Sequence, residues 1–344
     1  MKDSILLFGG SSEERLVSVA SAQNLTKNYE FADCWFIHQD GRLARVTRDE
    51  LLQHQRAFEV PFKPRESSFS NSILQALPAL KGKVVFLALH GTEGEDGKLQ
   101  ASLETEKIAF TGSGSESSRN CFDKLKAKRI VLENQIRTAP QIQIKKDQSA
   151  KMIAELSAFA QQHKKIVIKP VESGSSFGLH IVENQAELEK AVTEMQKSQY
   201  SIYMAEKFIS GRELTVGVLQ SQELGAQAFA LPASEVVLSA GRNFDYKGKY
   251  LGEGTTEITP AELNPQELMH AQALAVAAHK ALGCYGYSRT DMILTTDSNP
   301  VFLETNTLPG LSKASFVPQQ LAVIQMPIHS FVADQLNLAK RRYL

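Results

Sequence analysis

The sequence lacks the features of membrane-spanning and secreted proteins. No stretch of the chain approaches the ~20 apolar residues that a membrane-spanning helix needs. Its N-terminal apolar run ends at Gly9 and Gly10, too early for a signal peptide, and shows no small-residue cleavage site. The three cysteines, Cys34, Cys121 and Cys284, are widely spaced and odd in number, which suits a reducing compartment. We therefore expect a soluble, cytoplasmic protein without a membrane partner.

The sequence also lacks an excess of charge and several well-known catalytic motifs. Lys plus Arg and Asp plus Glu number 38 each, so no overall field favours nucleic acid as a partner. No zinc-spaced Cys/His cluster occurs. The one Gly-x-Ser-x-Gly match, Gly174–Gly178, lies between two predicted strands and not at the strand-to-helix turn of a nucleophile elbow. What remains is an ordinary globular composition, 42% hydrophobic, in a chain of 344 residues that is long enough for two or three packed units.

The first third of the chain alternates strands with helices, which predicts a parallel sheet covered on both faces. Its predicted elements are strands at Ile5–Phe8, Ala32–Ile37 and Val84–Leu89, a helix at Glu13–Lys27 and a surface loop at Phe62–Ser72.

After residue 112 the pattern changes to helices and antiparallel strands. Predicted helices are Asp123–Glu133, Ala150–His163 and Pro265–Leu282, the last with Asn264 as its N-cap and Gly283 as its stop. Predicted strands are Lys165–Lys169, Leu179–Val182, Ile202–Phe208, Glu213–Leu219 and Gln227–Leu231. The fold class is thus α/β and α+β, with three units at 1–112, 113–205 and 206–344.

A hairpin near the C-terminus carries the most informative chemistry. Two strand-like segments, Ser288–Thr295 and Val301–Asn306, flank a turn-rich tetrapeptide. If Thr295 pairs with Pro300, Asp291 lies opposite Glu304. Because side chains alternate faces along a strand, this register gives one face a set of four polar side chains: Arg289, Asp291, Glu304 and Asn306.

Directly opposed carboxylates repel each other, so a sheet selected only for stability would avoid them. Magnesium removes this repulsion, because it binds carboxylate and amide oxygens and shares its remaining positions with phosphates. The Thr307–Gly310 turn, Ser312 and Ser315 would bring backbone N–H groups near the same site. The alternative is an exposed sheet face with scattered charges.

Two glycine-containing loops are candidates for anion binding. Ser173–Gly178 forms a hairpin tip after Lys169, and with Lys124 it could hold phosphates, although such tips are often simple turns. Gly9–Ser12 lacks the third glycine of a dinucleotide fingerprint, and could instead present backbone donors and Glu14 to a small zwitterion. His90 follows a strand at the edge where α/β sheets bind ligands.

These segments resemble, in order and over nearly the whole chain, those of the D-alanine–D-alanine ligase family. The segment His90–Gln100 is similar to one long signature of that family. A second runs from Leu282 through the hairpin to Ser315. Supporting segments are Phe8–Ser18, Asp123–Leu125, Lys169–Gly178 and Glu206–Lys207. The resemblance implies an ATP-grasp fold, in which ATP lies between two antiparallel sheets.

The resemblance also implies residue roles. Residues implied for ATP are Lys124, Lys169, Ser173, Ser175, Ser176, Glu206, Lys207, Ile209, Glu213 and Lys249. Residues implied for substrate or catalysis are Glu14, His90, Ser175, Lys249, Tyr250, Arg289, Gly310, Ser315 and Phe316. Asp291, Glu304 and Asn306 would hold two Mg²⁺, with Mn²⁺ as a substitute. Glu14, Ser175 and Tyr250 would form a hydrogen-bond network, and Phe244–Tyr250 would be a closing loop. A homodimer is the family expectation.

The implied reaction joins two D-alanines for peptidoglycan precursors, through an acyl phosphate made with ATP. Two departures from the family pattern bear on this: Ser173 replaces a frequently acidic residue, and Lys313-Ala314 precedes Ser315. Three alternatives remain: a D-alanyl-D-lactate or D-alanyl-D-serine ligase, an inactive ATP-binding protein, and a nicotinamide oxidoreductase. The family's lactate users tend to lack a tyrosine at the position of Tyr250.

Overall fold

The computed structural model describes residues 3–146, 149–174, 177–222, 225, 227–238 and 255–342. It has the α/β and α+β architecture that the sequence predicts, built on three sheets. In the described ranges, no helix is both long and apolar enough to cross a bilayer.

The N-terminal sheet has the strand order β3-β2-β1-β4-β5. Its strands are β1 (Ser4–Gly9), β2 (Asp33–Ile37), β3 (Leu43–Arg45), β4 (Val84–Ala88) and β5 (Ala109–Phe110). The helices of this part are α1 (Arg15–Asn28), α2 (Arg48–Gln53), α3 (Ile73–Leu80) and α4 (Lys98–Thr105). The predicted parallel sheet is confirmed for β2, β1, β4 and β5, whereas β3 is an antiparallel edge strand that the sequence did not indicate.

The central sheet is antiparallel, with the strand order β6-β9-β7-β8. Its strands are β6 (Gln141–Lys145), β7 (Ile166–Pro170), β8 (His180–Val182) and β9 (Ile202–Lys207). The helices of this region are α5 (Ser115–Phe122), α6 (Lys124–Glu133), α7 (Ser149–His163) and α8 (Gln185–Lys197). Strands β7 and β8 pair as the predicted hairpin, which confirms that Ser173 lies in its connecting loop.

The C-terminal sheet is also antiparallel, with the strand order β12-β11-β10-β13-β14. Its strands are β10 (Arg212–Gln220), β11 (Ala228–Leu238), β12 (Thr255–Ile258), β13 (Tyr287–Leu294) and β14 (Pro300–Asn306). The helices are α9 (Pro265–Ala281), α10 (Phe316–Val323) and α11 (Ile328–Arg342). Asn264 caps α9 as predicted, because its side chain accepts from Glu267 N while the Glu267 side chain accepts from Asn264 N.

The predicted register of the β13–β14 hairpin is wrong next to the turn and right farther along the strands. Leu294, not Thr295, pairs with Pro300, so the connecting turn is one residue longer than expected. A bulge then leaves Leu303 without a partner residue on β13 and moves the rest of the pairing by one position. Beyond the bulge, Asp291 lies opposite Glu304, as predicted.

The hydrophobic core is shared unequally among the sheets. The central sheet has its own cluster, which includes Ile144, Leu156 and Tyr203. The N-terminal cluster, in contrast, includes Phe331 and Leu336 of α11, from the opposite end of the chain. Helix α11 therefore completes the packing of the first sheet, while the unit boundaries near 112 and 205 remain predictions.

Gly97 begins α4 at φ +79°, and a Cβ there would overlap the backbone oxygen of Ser115. We expect Gly97→Ala to lower the free energy of unfolding by roughly 1–2 kcal/mol for the left-handed backbone, with a further ~1–3 kcal/mol for the overlap. Gly82→Ala is the matched control, because Gly82 has φ +75° and open space around its Cβ position. Urea unfolding of both variants measures the difference; equal losses would contradict the steric argument.

Candidate active site

The polar face of the β13–β14 hairpin is held by hydrogen bonds that converge on Asp291. Arg289 donates from Nε to Oδ1 at 2.9 Å and from Nη2 to Oδ2 at 2.8 Å. The Thr215 hydroxyl donates to Oδ1, and Asn306 Nδ2 lies 3.4 Å from Oδ2. The bidentate guanidinium pair fixes the plane of the carboxylate, so its orientation does not depend on a bound ion.

Lys124 connects this hairpin to the glycine-containing loop of the central sheet. It is the first residue of α6, and its Nζ lies 3.3 Å from Glu304 Oε2. The same nitrogen donates to the carbonyl oxygen of Ser173 at 2.5 Å. The structure therefore brings the predicted phosphate loop and the predicted metal-binding hairpin to one buried ammonium group.

Two buried lysines share the carboxylate of Glu206 on β9. Lys128 Nζ lies 2.5 Å from Oε2, and Lys169 Nζ lies 2.6 Å from Oε1. Burial alone would raise the pKa of Glu206, but the two ammonium groups outweigh it and lower the pKa to about 2. Glu206 is thus an anion at neutral pH.

Sequence reasoning missed Lys128, although a signal was present. Lys124 and Lys128 are four residues apart on α6, so they lie on one helix face, one turn apart. Once Lys124 is placed at the site, this spacing places Lys128 beside it. Among the described side chains, Lys128 is one of the largest that are fully buried.

His90 ties the N-terminal sheet to the segment after β14. Its Nδ1 lies 2.8 Å from the Leu308 carbonyl oxygen and its Nε2 lies 2.9 Å from Ser21 Oγ. Because a carbonyl only accepts, Nδ1 carries the proton, and burial lowers the pKa of His90, which favours the neutral ring. Ser21 then donates to Nε2 while accepting from Leu311 N at 3.0 Å.

Glu95, in the same motif as His90, makes a second link between these parts. Its two carboxylate oxygens each lie 3.0 Å from a backbone nitrogen, one of Gly91 and the other of Leu308. Burial, followed by repulsion from Glu14, raises the pKa of Glu95 to about 7. Sequence reasoning missed the role of Glu95.

Glu14 lies where the first and central sheets approach each other. A Cβ on Gly174 would overlap the Glu14 carboxylate, and one on Gly91 would come within 2.8 Å of Glu14 Oε2. Both glycines therefore leave room for this carboxylate between the two loops. A broad cleft of about 1370 Å³ borders Glu14 on its outer side and reaches Ser12 and Lys98.

The N-terminus of α10 faces the site as a potential carboxylate subsite. The Ser315 side chain does not cap the helix, because its Oγ lies 2.8 Å from Ser312 Oγ instead. The first N–H groups of α10, beginning with Phe316, are thus available to an anion. Gly310 fits closely beside it, since a Cβ would come within 2.7 Å of Ser315 Oγ.

Half of the predicted residues line one small cavity of about 50 Å³. Predicted residues that line it are Glu14, His90, Glu213, Arg289, Asp291, Glu304, Asn306, Gly310, Ser315 and Phe316. Thr215 and Glu257 line it as well, without having been predicted. Glu257 accepts from Gln319 Nε2 at 3.0 Å, and burial raises its pKa.

Some predicted residues lie away from this centre or outside the described ranges. Lys207 follows Glu206 on β9, so its side chain points to the opposite face, where it is exposed; only its main chain could face a ligand beside Glu206. Ile209 is half-buried just after the strand. Ser175, Ser176, Lys249 and Tyr250 lie outside the described residues, as does the predicted loop Phe244–Tyr250.

Comparisons with known proteins agree along the whole chain. Two family models match, one described as the D-ala D-ala ligase N-terminus at residues 3–113 and one as the D-ala D-ala ligase C-terminus at residues 131–336. A D-alanine--D-alanine ligase from Leptospira interrogans is 32% identical over 359 residues, covering 98% of each chain. The solved VanG D-Ala:D-Ser ligase from Enterococcus faecalis matches with TM-score 0.82 and 28% identity over 100% of both chains. A D-alanine--D-alanine ligase from Bacillus anthracis matches with TM-score 0.75 and 26% identity, covering 99% of this chain and 98% of that one.

The Glu95 link predicts a pH-dependent stability. Glu95→Gln replaces one carboxyl oxygen by an amide NH₂ group, which cannot accept from its backbone N–H. We expect this to cost about 1–3 kcal/mol of unfolding free energy at low pH. The pKa of Glu95 is raised from 4.5 to about 7 in the folded protein. Protonation of Glu95 therefore contributes its full stabilisation below pH 4.5, and this contribution is lost as the pH rises through about 7. Wild-type stability minus variant stability should therefore shrink between about pH 5 and pH 8. Thermal melting across this range measures it, with exposed Glu30→Gln as the control; a constant difference would contradict the assigned pKa.

Proposed function

The chain belongs to the D-alanine–D-alanine ligase family, as its motifs indicated, and we propose that it joins two D-alanines into D-alanyl-D-alanine with ATP. The product would serve peptidoglycan precursor synthesis. The observation that carries the proposal is the position of Lys124, whose ammonium lies against both Glu304 and the Ser173 carbonyl. One cation thus joins the loop suited to phosphates and the carboxylates suited to metal ions.

ATP would lie between the central and C-terminal sheets. Lys124 and Lys169, with the loop that begins at Ser173, offer positive charge and backbone donors to its phosphates. Glu206 offers an anionic acceptor to the base, together with the main chain of Lys207 and the side chain of Ile209. Glu213 would accept from the ribose, and Lys249, Ser175 and Ser176 remain assigned by resemblance.

The hairpin residues fit divalent magnesium. Asp291, Glu304 and Asn306 supply two carboxylates and an amide, all hard oxygen donors. A bound cation would add to the positive charge that Arg289 and Lys124 already bring to the two opposed carboxylates. In the described part of the chain, no group of three His, Cys, Asp or Glu side chains could enclose an ion. Bound ions would therefore take further oxygens from phosphates or water, and would neutralise charge during transfer. We propose two Mg²⁺ here, with Mn²⁺ as a substitute.

In the first step, the carboxylate of one D-alanine attacks the γ-phosphate of ATP, giving D-alanyl phosphate and ADP. Glu14 would hold the ammonium of this D-alanine. The neutral ring of His90, hydrogen-bonded to Leu308 and Ser21, would lie beside the substrate. Lys124 and Lys169 would steady the transferred phosphoryl group, and positioning supplies most of the rate. Ser175 and Tyr250 would complete the Glu14 network, and the loop at 244–250 would exclude water.

In the second step, the free amine of the other D-alanine attacks the acyl carbon and phosphate leaves. Its carboxylate would bind Ser315 and the Phe316 N–H at the start of α10. Arg289 and the Gly310 N–H would stabilise the tetrahedral oxyanion. Arg289 is suited to this role because Asp291 already fixes its guanidinium plane.

Three further proposals follow from the family. The protein would act in the cytoplasm as a homodimer, and its three units would follow the predicted boundaries near 112 and 205. The relatives that carry the D-alanine–D-alanine name favour this product over D-alanyl-D-serine, although a D-Ala:D-Ser ligase shares the fold. D-alanyl-D-lactate has no such support.

Phosphate release from ATP tests the reaction directly. With D-alanine alone, we expect stoichiometric ADP, phosphate and D-alanyl-D-alanine, because both subsites accept the same amino acid. Adding D-serine or D-lactate should give little mixed product. A dominant mixed product would show that the second substrate is D-serine or D-lactate and not D-alanine. Absence of phosphate release with D-alanine, D-serine and D-lactate would reject the ligase assignment.

The metal assignment predicts the effect of Glu304→Gln. Activity should fall more than tenfold, ~1.4 kcal/mol of barrier, because a ligand charge is lost. Thermal stability should stay near that of the wild type, since the lost ion pair with Lys124 is offset by the relieved repulsion with Asp291. Exposed Glu262→Gln is the control. A variant that keeps more than a tenth of wild-type turnover would remove Glu304 from the metal site.

The nucleotide assignment predicts that Lys124→Met and Lys169→Met each weaken ATP binding or slow phosphoryl transfer. Each change removes one ammonium group that would contact the phosphates. Calorimetric ATP titration and single-turnover rates measure the two effects separately. If both variants match the wild type in affinity and in rate, the Ser173–Gly178 loop is only a turn.

A further inference from the structure

The buried cluster of Lys128, Glu206 and Lys169 carries one more positive charge than its own neutrality requires. Both ammonium groups lie within 2.6 Å of the same carboxylate, and all three residues are buried. A buried charge without a partner is costly, and one lysine would suffice to pair Glu206. The second lysine is therefore not needed to neutralise Glu206, and it could instead pair with an anionic ligand.

The two lysines are not equivalent in reach. Lys169 is the next-to-last residue of β7, near the loop that begins at Ser173, and 11% of its side chain is exposed. Lys128 lies inside α6 with a side chain that is 0% exposed. Only Lys169 can turn toward a ligand at the loop without unpacking a helix. Lys128 can contact such a ligand only through Glu206.

We propose that Lys128 is a positioning residue for nucleotide recognition, which keeps Glu206 anionic and in place while Lys169 turns to the phosphates. This inference rests on the proposed use of ATP. When Lys169 gives hydrogen bonds to phosphate oxygens, Glu206 keeps a full counter-charge from Lys128. Its carboxylate then stays available to accept from the 6-amino group of adenine.

The structure supports this division of roles through the charges around Glu206. Burial lowers the pKa of Lys128 and is only partly offset by Glu206. The pKa of Lys169 is raised, because Glu206, Glu304 and Glu213 together outweigh its burial. Lys169 thus has other carboxylates within its field when it leaves Glu206, whereas Lys128 depends mainly on Glu206.

The proposal predicts a change in base preference, which a purely structural lysine would not cause. Adenine presents a donor at its 6-position, whereas guanine presents an acceptor that a carboxylate repels. Without Lys128, Lys169 stays on Glu206 or Glu206 takes a proton, and either outcome weakens discrimination. A lysine that only supports the fold would lower ATP and GTP affinity by the same factor.

A double-mutant cycle tests this inference. Affinities for ATP and GTP with magnesium are measured by calorimetry for wild type, Lys128→Met, Glu206→Gln and the double variant. We expect the preference for ATP over GTP to fall at least about tenfold in each single variant. The double variant should lose little more, because both changes act on the same carboxylate. Exposed Arg129→Met on the same helix is the control and should keep the wild-type preference.

Two results would overturn the proposal: an unchanged base preference in Lys128→Met, or losses that add fully in the double variant. If thermal melting shows that Lys128→Met is unfolded, Lys128→Gln keeps a hydrogen-bond donor without the charge and is measured instead. Wild-type product formation is measured first. A wild type that binds ATP selectively but makes no dipeptide contradicts the proposed reaction and leaves the role of Lys128 standing.

Discussion

The opposition of Asp291 and Glu304 across β13 and β14 is the constraint on which the rest of the site depends. Two carboxylates at paired positions destabilise a sheet unless positive charge is supplied nearby. Arg289 supplies it from the same strand, and Lys124 supplies it from α6. The first cation lies within the C-terminal sheet, and the second belongs to α6, which shares a hydrophobic cluster with that sheet. Lys124 also donates to the Ser173 carbonyl oxygen in the loop of the central sheet. Compensating this repulsion therefore also fixes how the two sheets face each other.

On the opposite side of the site, hydrogen bonds from buried groups hold the N-terminal sheet against the C-terminal segment. His90 and Glu95 both contact Leu308, through its carbonyl oxygen and its N–H respectively. Their burial disfavours charge, which favours contacts of low charge where the N-terminal sheet meets the C-terminal segment. The charged contacts thus lie toward the central sheet and the neutral contacts toward the N-terminal sheet.

The sequence predicts much of this arrangement, and the failures have physical causes. Periodicity and capping residues placed the main strands and α9, because Asn264 and Gly283 act within a few residues of themselves. The hairpin register was wrong at Thr295, since a bulge at Leu303 depends on packing that alternation does not report. Lys128 and Glu95 were missed because each is defined by a partner far along the chain.

The shared core of the first sheet and α11 bears on how the protein is made. A ribosome releases the strands of this sheet more than two hundred residues before Phe331 and Leu336, which lie in the same hydrophobic cluster. The central sheet, whose cluster draws only on its own region, can close its interior while the chain is still growing. The nascent N-terminal sheet therefore has one apolar surface incomplete until α11 emerges, so its packing depends on the C-terminal helix, and the surface is exposed to aggregation until then.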